Sequence, residues 1–174
     1  DTNDYLKFSD WIELYNSSSL PYDLSGCYIS DNIENIDKWE FPVGTTILPG
    51  NYLVLWADGK DKIPNEIDTL IFSDTTLIII EDYHLNFKLS ASGEEIVLVN
   101  ADGELLDSIT YGMQAPDITF GRKIDNHDKW GYFGEPTCGQ SNTSFFSEKF
   151  RRAEQPVFSI SGGFYNSPQT VTLS

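Results

Sequence analysis

Little in this chain equips it for metal, redox or nucleophilic chemistry. Its 174 residues hold two cysteines, two histidines and one methionine, and only 11 basic residues against 27 acidic ones. Cys27 and Cys138 match no zinc-site spacing. Cys27 sits at an inward strand position and reads as a small core residue. A Cys27–Cys138 disulfide is the alternative, contributing about 4–5 kcal/mol in the chain-entropy model less any strain. His84 falls beside Leu85-Asn86-Phe87 and His127 in a polar turn; both read as structural or surface residues. Gly-x-Ser-x-Gly, His-Glu-x-x-His and phosphate-loop patterns are all lacking, so the residues give no sign of an enzyme.

Other shortages narrow the choice further. No run of apolar residues reaches the ~18 needed to cross a bilayer as a helix; the longest, Thr76 to Ile80, has the length of a strand. A net charge of −16 repels phosphate backbones and disfavours general nucleic-acid binding. The one basic cluster, Lys149-Phe150-Arg151-Arg152, is short and reads as solvated linker. Helical periodicity is nearly absent.

What the chain does have is 40% apolar content with 14% aromatics, enough for a packed core, and many short alternating segments. Ile12 and Leu14 alternate with polar or amphipathic neighbours in Asp10-Trp11-Ile12-Glu13-Leu14-Tyr15-Asn16, the period-2 pattern of a half-buried strand. Strands are predicted at 11–15, 26–30, 38–41, 52–57, 77–81, 86–89, 95–100 and 105–111. Leu48-Pro49-Gly50-Asn51 suits a type II turn, and Asn100-Ala101-Asp102-Gly103 suits a tight hairpin that pairs the last two strands antiparallel. Residues 60–82 read as a long loop or an inserted hairpin. Residues 112–142 read as an irregular wrap over one end that tucks in Trp130, Tyr132 and Phe133. The pattern as a whole is all-β, an antiparallel sandwich or barrel. It divides into a sandwich at 1–142, a linker at 143–155 and the start of a second small β-module at 156–174, as in an excised fragment.

Several of these words occur together, in order, in one family. Asp10 to Asn16, Leu24-Ser25-Gly26, Trp39-Glu40-Phe41-Pro42, Leu48-Pro49-Gly50 and Leu53-Val54-Leu55-Trp56-Ala57 resemble lamin tail domains. So do Phe87-Lys88-Leu89-Ser90, Gly93 to Leu98, Asp107 to Tyr111, Gly121-Arg122 and Pro136 to Asn142. The resemblance covers about residues 5–142 and implies an immunoglobulin-like β-sandwich. Two departures accompany it. Bacterial members usually carry a strand with an Asn-Glu pair before the Asp-Trp-Ile-Glu motif, and its absence implies an open sheet edge. Cys138 stands where proline is common. The tail, with Phe158-Ser159 and Gly162-Gly163-Phe164-Tyr165, resembles the start of a small β-repeat at the C-terminus of chitobiases and related secreted hydrolases. Together the resemblances imply a secreted or cell-surface multidomain bacterial protein in which this segment is a non-catalytic interaction or attachment module. The alternative is an accessory or spacer domain of a hydrolase or kinase-like enzyme whose catalytic domain lies elsewhere.

Candidate binding residues follow from chemistry. Trp130 and Tyr132 could stack on sugar rings, because flat apolar faces suit pyranose CH groups; Trp39 and Trp56 lie in strands and are expected in the core. No cofactor is implied, but calcium is a candidate at the oxygen-rich loop of Asp31, Glu34 and Asp37, or near Asp1–Asp4. Glu13, Lys88 and Arg122 are expected to make half-buried polar interactions, since burying such groups demands a partner. The expected partners are a glycan or a protein and the adjacent domains of the same chain, with neither nucleic acid nor direct membrane insertion.

Overall fold

Alternation of apolar and polar residues produces strands throughout. The computed structural model describes residues 9–64, 70–73, 76–79, 82–123, 126–150 and 157–172, with backbone alone given for 70–73, 76–79 and 126–127. Among these residues there are strands and turns but no helix.

The first sheet contains β1 (Trp11–Tyr15), β6 (Tyr52–Trp56) and β9 (Tyr83–His84), in the order β1-β6-β9. β1 and β6 are antiparallel, with Ile12 opposite Leu55 and Leu14 opposite Leu53, whereas β6 and β9 run parallel. The second sheet contains β3 (Tyr28–Ser30), β4 (Trp39–Glu40), β10 (Glu94–Val99) and β11 (Leu105–Tyr111), in the order β11-β10-β3-β4. Two short pairs complete this part of the chain: β2 (Tyr22–Asp23) with β5 (Thr46–Ile47), and the hairpin of β7 (Leu70–Ser73) with β8 (Thr76–Ile79). That hairpin falls within the predicted insertion.

The core lies between the two main sheets. Ile12, Leu55, Ile29 and Trp39 come from strands, while Leu24, Cys27, Phe41, Leu85 and Phe87 come from the segments joining them, all buried. Each such side chain removed from water contributes about 1.5–3 kcal/mol. Leu14, Ile96 and Leu98 pack on the same core but stay half-buried, and all three border one cleft. Trp39 is buried as expected. Trp56 is only half-buried, because the one-residue alternation that sends Leu55 inward turns Trp56 to the opposite face. Cys27 is buried, Cys138 is exposed, and both are free thiols, so the disulfide alternative is not realised.

Turns hold the strands in register. Gly50 has φ of 71° and Asn51 N–H donates to Leu48 O at 3.0 Å, as the Pro-Gly turn requires. Gly103, at φ 81°, closes the predicted Asp-Gly hairpin, and Gly103 N–H donates to Asn100 O at 2.9 Å. Buried Asn16 caps β1 from the side: its amide donates to the Leu20 and Ile47 carbonyls, both at 2.8 Å. The expected strand at 86–89 is absent; the pairing with β6 falls earlier, at β9, and only a bridge between Asp58 and Lys88 remains there.

The larger difference lies after residue 112. In place of an irregular wrap there is a third sheet of β12 (Thr119–Lys123), β13 (Asn126–Phe133) and β14 (Phe146–Ser147). Gly121 pairs with Gly131, and this pair leaves space that larger residues would fill: a Cβ on Gly131 would come within 2.5 Å of the Phe146 ring. Phe146 also packs on Phe133 at 5.3 Å between centroids. Part of the segment read as linker, 143–155, thus supplies a strand. His127 lies within β13 rather than a turn.

Gly93 has little conformational freedom. It has φ of +101°, and a Cβ there would sit 2.5 Å from Tyr111 O and 2.9 Å from Gly112. Gly93→Ala is therefore expected to cost about 2–3 kcal/mol, while Gly134→Ala, with open space around it, should stay within about 0.5 kcal/mol of the parent. Urea denaturation of the two variants checks this; equal midpoints would contradict it.

Candidate functional site

The open end of the sandwich is a cleft of about 1600 Å³ between the first two sheets and the third. Its lining is continuous along the chain: every residue from Ser9 to Ser18 borders it, and so does every residue from Gln114 to Arg122. A cavity over one face of a strand touches alternate residues, since successive side chains point to opposite sides. Contact with every residue of β1 places the cavity along that strand's edge. Leu106 to Ile109 of β11 border it in the same manner. Among the described residues β1, β11 and β12 each stand at the end of their sheet, so three sheet edges meet around one space.

The third sheet is fastened to the other two by polar groups. Arg122 makes a bidentate pair with Asp107 of β11, at 2.6 and 2.7 Å. Glu13 of β1 accepts a hydrogen bond from Gly139 N–H at 2.5 Å, and Tyr52 and Ser141 share one at 2.8 Å. Asn142 donates to Arg122 O at 3.1 Å and ties the 137–142 turn to β12. Burial pushes the Glu13 carboxyl above its usual range, and the Gly139 N–H opposes that rise only in part. The hydroxyl of Thr119, beside the cleft, is buried without a hydrogen-bond partner among the described residues.

Trp130 lines the cleft, but its ring is occupied. The Arg122 guanidinium lies 4.4 Å from the Trp130 ring centroid, and Phe120 stacks on Trp130 at 5.8 Å with 17° between planes. Tyr132 is opposite Phe120 in register, 4.9 Å away, and also packs on Phe150 at 5.4 Å. The two residues selected as a sugar platform thus belong to one ladder of Arg122, Trp130, Phe120, Tyr132 and Phe150. Its members are half-buried, and Tyr132 does not line the cleft. Cross-strand pairing explains this ladder: Arg122 faces Trp130 and Phe120 faces Tyr132 on one side of the hairpin.

The acidic loop is arranged differently. Asp31 is engaged by Lys38 in an ion pair, Glu34 is exposed, and Asp37 lies at the exposed end of the loop. Buried Ser30 holds the loop from beneath, its hydroxyl 2.7 Å from Asn35 O, and an Asx turn brings Glu34 N–H to Asn32 Oδ1 at 2.8 Å. Among the described residues no three acidic, histidine or cysteine side chains converge as a metal-binding group. Asp1–Asp4 lie outside the described residues.

A second polar centre escaped the sequence reading. Asp58 Oδ2 is 2.9 Å from both His84 Nδ1 and Lys60 Nζ, with Asp58 and His84 nearly enclosed. The signal available was Asp58-Gly59-Lys60 at the mouth of the predicted insertion; the partnership with His84 depends on β9 running parallel to β6. Burial alone would raise the Asp58 carboxyl, but hydrogen bonds from Lys60 and His84 outweigh it and hold the group below the usual carboxylate range. Lys88 joins the same corner through its bridge to Asp58.

Two sheets that share one core in an all-β chain define an immunoglobulin-like module. Residues 1–113 match the family model described as Lamin Tail Domain, and the chain belongs to that family. The match ends before β12, so the third sheet and the tail lie beyond it. The curated proteins compared with the chain gave no match.

The two carboxyls should behave oppositely with pH. Asp58, depressed when folded, adds stability above its unfolded pKa, and this is lost as pH falls through its folded value. Asp58→Asn is expected to destabilise by about 1–3 kcal/mol at neutral pH, with the gap closing in acid. Glu13, raised when folded, carries a cost that is full above its folded pKa and absent below its unfolded one. Glu13→Gln should match or exceed the parent at neutral pH and equal it in acid. Denaturant titrations from pH 3 to 8 check both signs, and a neutral-pH loss in Glu13→Gln would contradict the assignment.

Proposed function

We propose that the chain is a non-catalytic interaction module of a secreted or cell-surface multidomain bacterial protein, and that it contacts its partner through the open end of the sandwich. The observation that carries this reading is the cleft of about 1600 Å³ bordered by three sheet edges. Such a volume exceeds the roughly 300–1,000 Å³ of small-molecule sites, which favours a macromolecular partner. A protein partner is favoured over a glycan, because Arg122 already covers a face of the Trp130 ring that a pyranose would need. Calcium has no part in the reading, since Lys38 neutralises the Asp31 carboxylate of the candidate loop.

A second reading, an accessory or spacer domain that packs against its neighbours, is favoured by a specific feature of the tail. Residues 157–172 close a small loop through Ser159 and Thr172, with Ser159 N–H donating to Thr172 O at 3.0 Å, yet Phe158 and Phe164 are fully or largely exposed. Apolar groups of this size suit contact with an adjacent β-module, such as the rest of the repeat that the tail resembles.

A mixed array of glycans, cell-wall polysaccharides and short peptides, probed with and without calcium, separates the two. The interaction reading expects retention of at least one class, unchanged by calcium and weakened about tenfold or more by Leu106→Lys, which places a cation in the cleft. Retention of no class, or retention indifferent to Leu106→Lys, would overturn the interaction reading in favour of the spacer.

A further inference from the structure

The third sheet is joined to the sandwich in another way than the first two sheets are joined to each other. Those two share one core. Among the described residues no strand of the third sheet is hydrogen-bonded to a strand of either. Inside, the third sheet is bound closely. β13 pairs with β12 on one side and β14 on the other, and Phe133 is buried beside Phe146. The ladder from Arg122 to Phe150 braces one of its faces. A segment with its own pairing and its own apolar contacts can open as one unit.

The chain enters this unit through one tight turn. Gln114 N–H donates to Ala91 O at 2.8 Å and ties the chain to the sandwich up to that point. Ala115-Pro116-Asp117-Ile118 follows, with Ile118 N–H donating to Ala115 O at 3.3 Å and φ of 61° at Asp117. Proline second and a positive φ third make a type II turn, whose third position favours glycine. An aspartate there sits in a sparsely populated backbone region, and hinges are built from a few loop residues of this kind. The family match ends at residue 113, just before the turn. On its far side the unit is held by side chains. The Arg122–Asp107 pair joins β12 to β11 with 36% and 52% of the two side chains exposed, so it holds weakly and is screened by salt. Gly139 N–H to Glu13 and Tyr52 to Ser141 add hydrogen bonds. We propose that the third sheet is a hinged unit that turns as one body about residues 115–118, with Arg122–Asp107 as the clasp that holds it to the sandwich. Because β12 borders the cleft, release of the clasp widens the cleft.

The test measures a distance across the hinge in the whole chain. Spin labels go on Val43→Cys in the sandwich, where the side chain is exposed, and on Gly134→Cys in the third sheet, where a Cβ has open space. Cys138→Ser removes the exposed native thiol, and Cys27 is buried. Double electron–electron resonance should show a shorter closed distance and a longer open one. The open fraction is expected to rise about two- to fivefold between about 0.01 M and about 1 M salt, as the screening length falls from about 30 Å to about 3 Å. Asp107→Asn should reach the high-salt fraction at low salt and then ignore salt. Asp107→Arg, which sets two cations against each other, should make the open distance the major one. Glu104→Arg, the same charge change outside the clasp, should behave as the parent. Hydrogen exchange in β12, β13 and the core strands should stay unchanged throughout, because a hinged unit moves without unfolding.

One unchanged distance in every variant and at every salt concentration would overturn the proposal, leaving the third sheet a fixed part of the sandwich. A longer distance accompanied by lost protection in β12 and β13 would also overturn it, since the unit would then be melting rather than turning. A salt response that persists in Asp107→Asn, or one that Glu104→Arg reproduces, would overturn the assignment of the clasp to Arg122 and Asp107.

Discussion

Backbone groups at the edge of a sheet must hydrogen-bond to something, and this constraint organises the open end of the molecule. A sandwich has four sheet ends, and proteins blunt them with charge, bulges or covering segments. Among the described residues the ends formed by β1 and β11 are not paired with one another; a third sheet spans the gap and brings its own edge, β12, to the same space. The interior residues that would be enclosed by closure, Leu14, Ile96 and Leu98, are left half-buried. Cleft, acidic rim and apolar walls all follow from that incomplete closure.

The third sheet is tied to the other two by groups with fixed geometry. Arg122 holds Asp107 with both nitrogen–oxygen contacts and at the same time lies over Trp130. A guanidinium is suited to this double task because it is planar, always charged and weakly hydrated. Glu13 spans from β1 to the 137–142 turn and does so as a partly buried carboxyl. These contacts explain why the aromatic ladder is a structural part of the hairpin. Stacked against one another and against Arg122, Trp130 and Tyr132 brace β12 against β13.

Much of this was legible in the sequence because its signals are local. The alternation of Ile12 and Leu14, the Pro49-Gly50 turn and the Asp102-Gly103 hairpin each report on a few neighbouring residues, and each appears where the pattern places it. The order of these words also carried the family. What was not legible depends on distant pairing. β12 and β13 look irregular in sequence because Gly121 and Gly131 interrupt their alternation, and the reasons for those glycines come later in the chain, Asn142 beside Gly121 and Phe146 beside Gly131. Asp58 and His84 are 26 positions apart and meet only through the parallel pairing of β6 and β9. The Trp130 platform was chosen on residue type alone, which gives no information about the arginine that covers it.

The account stands on the claim that, among the described residues, β1 pairs with β6 alone, and amide hydrogen exchange measures this directly. The predicted result is an alternation along a single strand: slow exchange at Ile12 and Leu14, whose amides face β6, and fast exchange at Trp11 and Glu13. Uniform protection along β1 would mean that its outer edge is already paired, and the account of incomplete closure would be wrong.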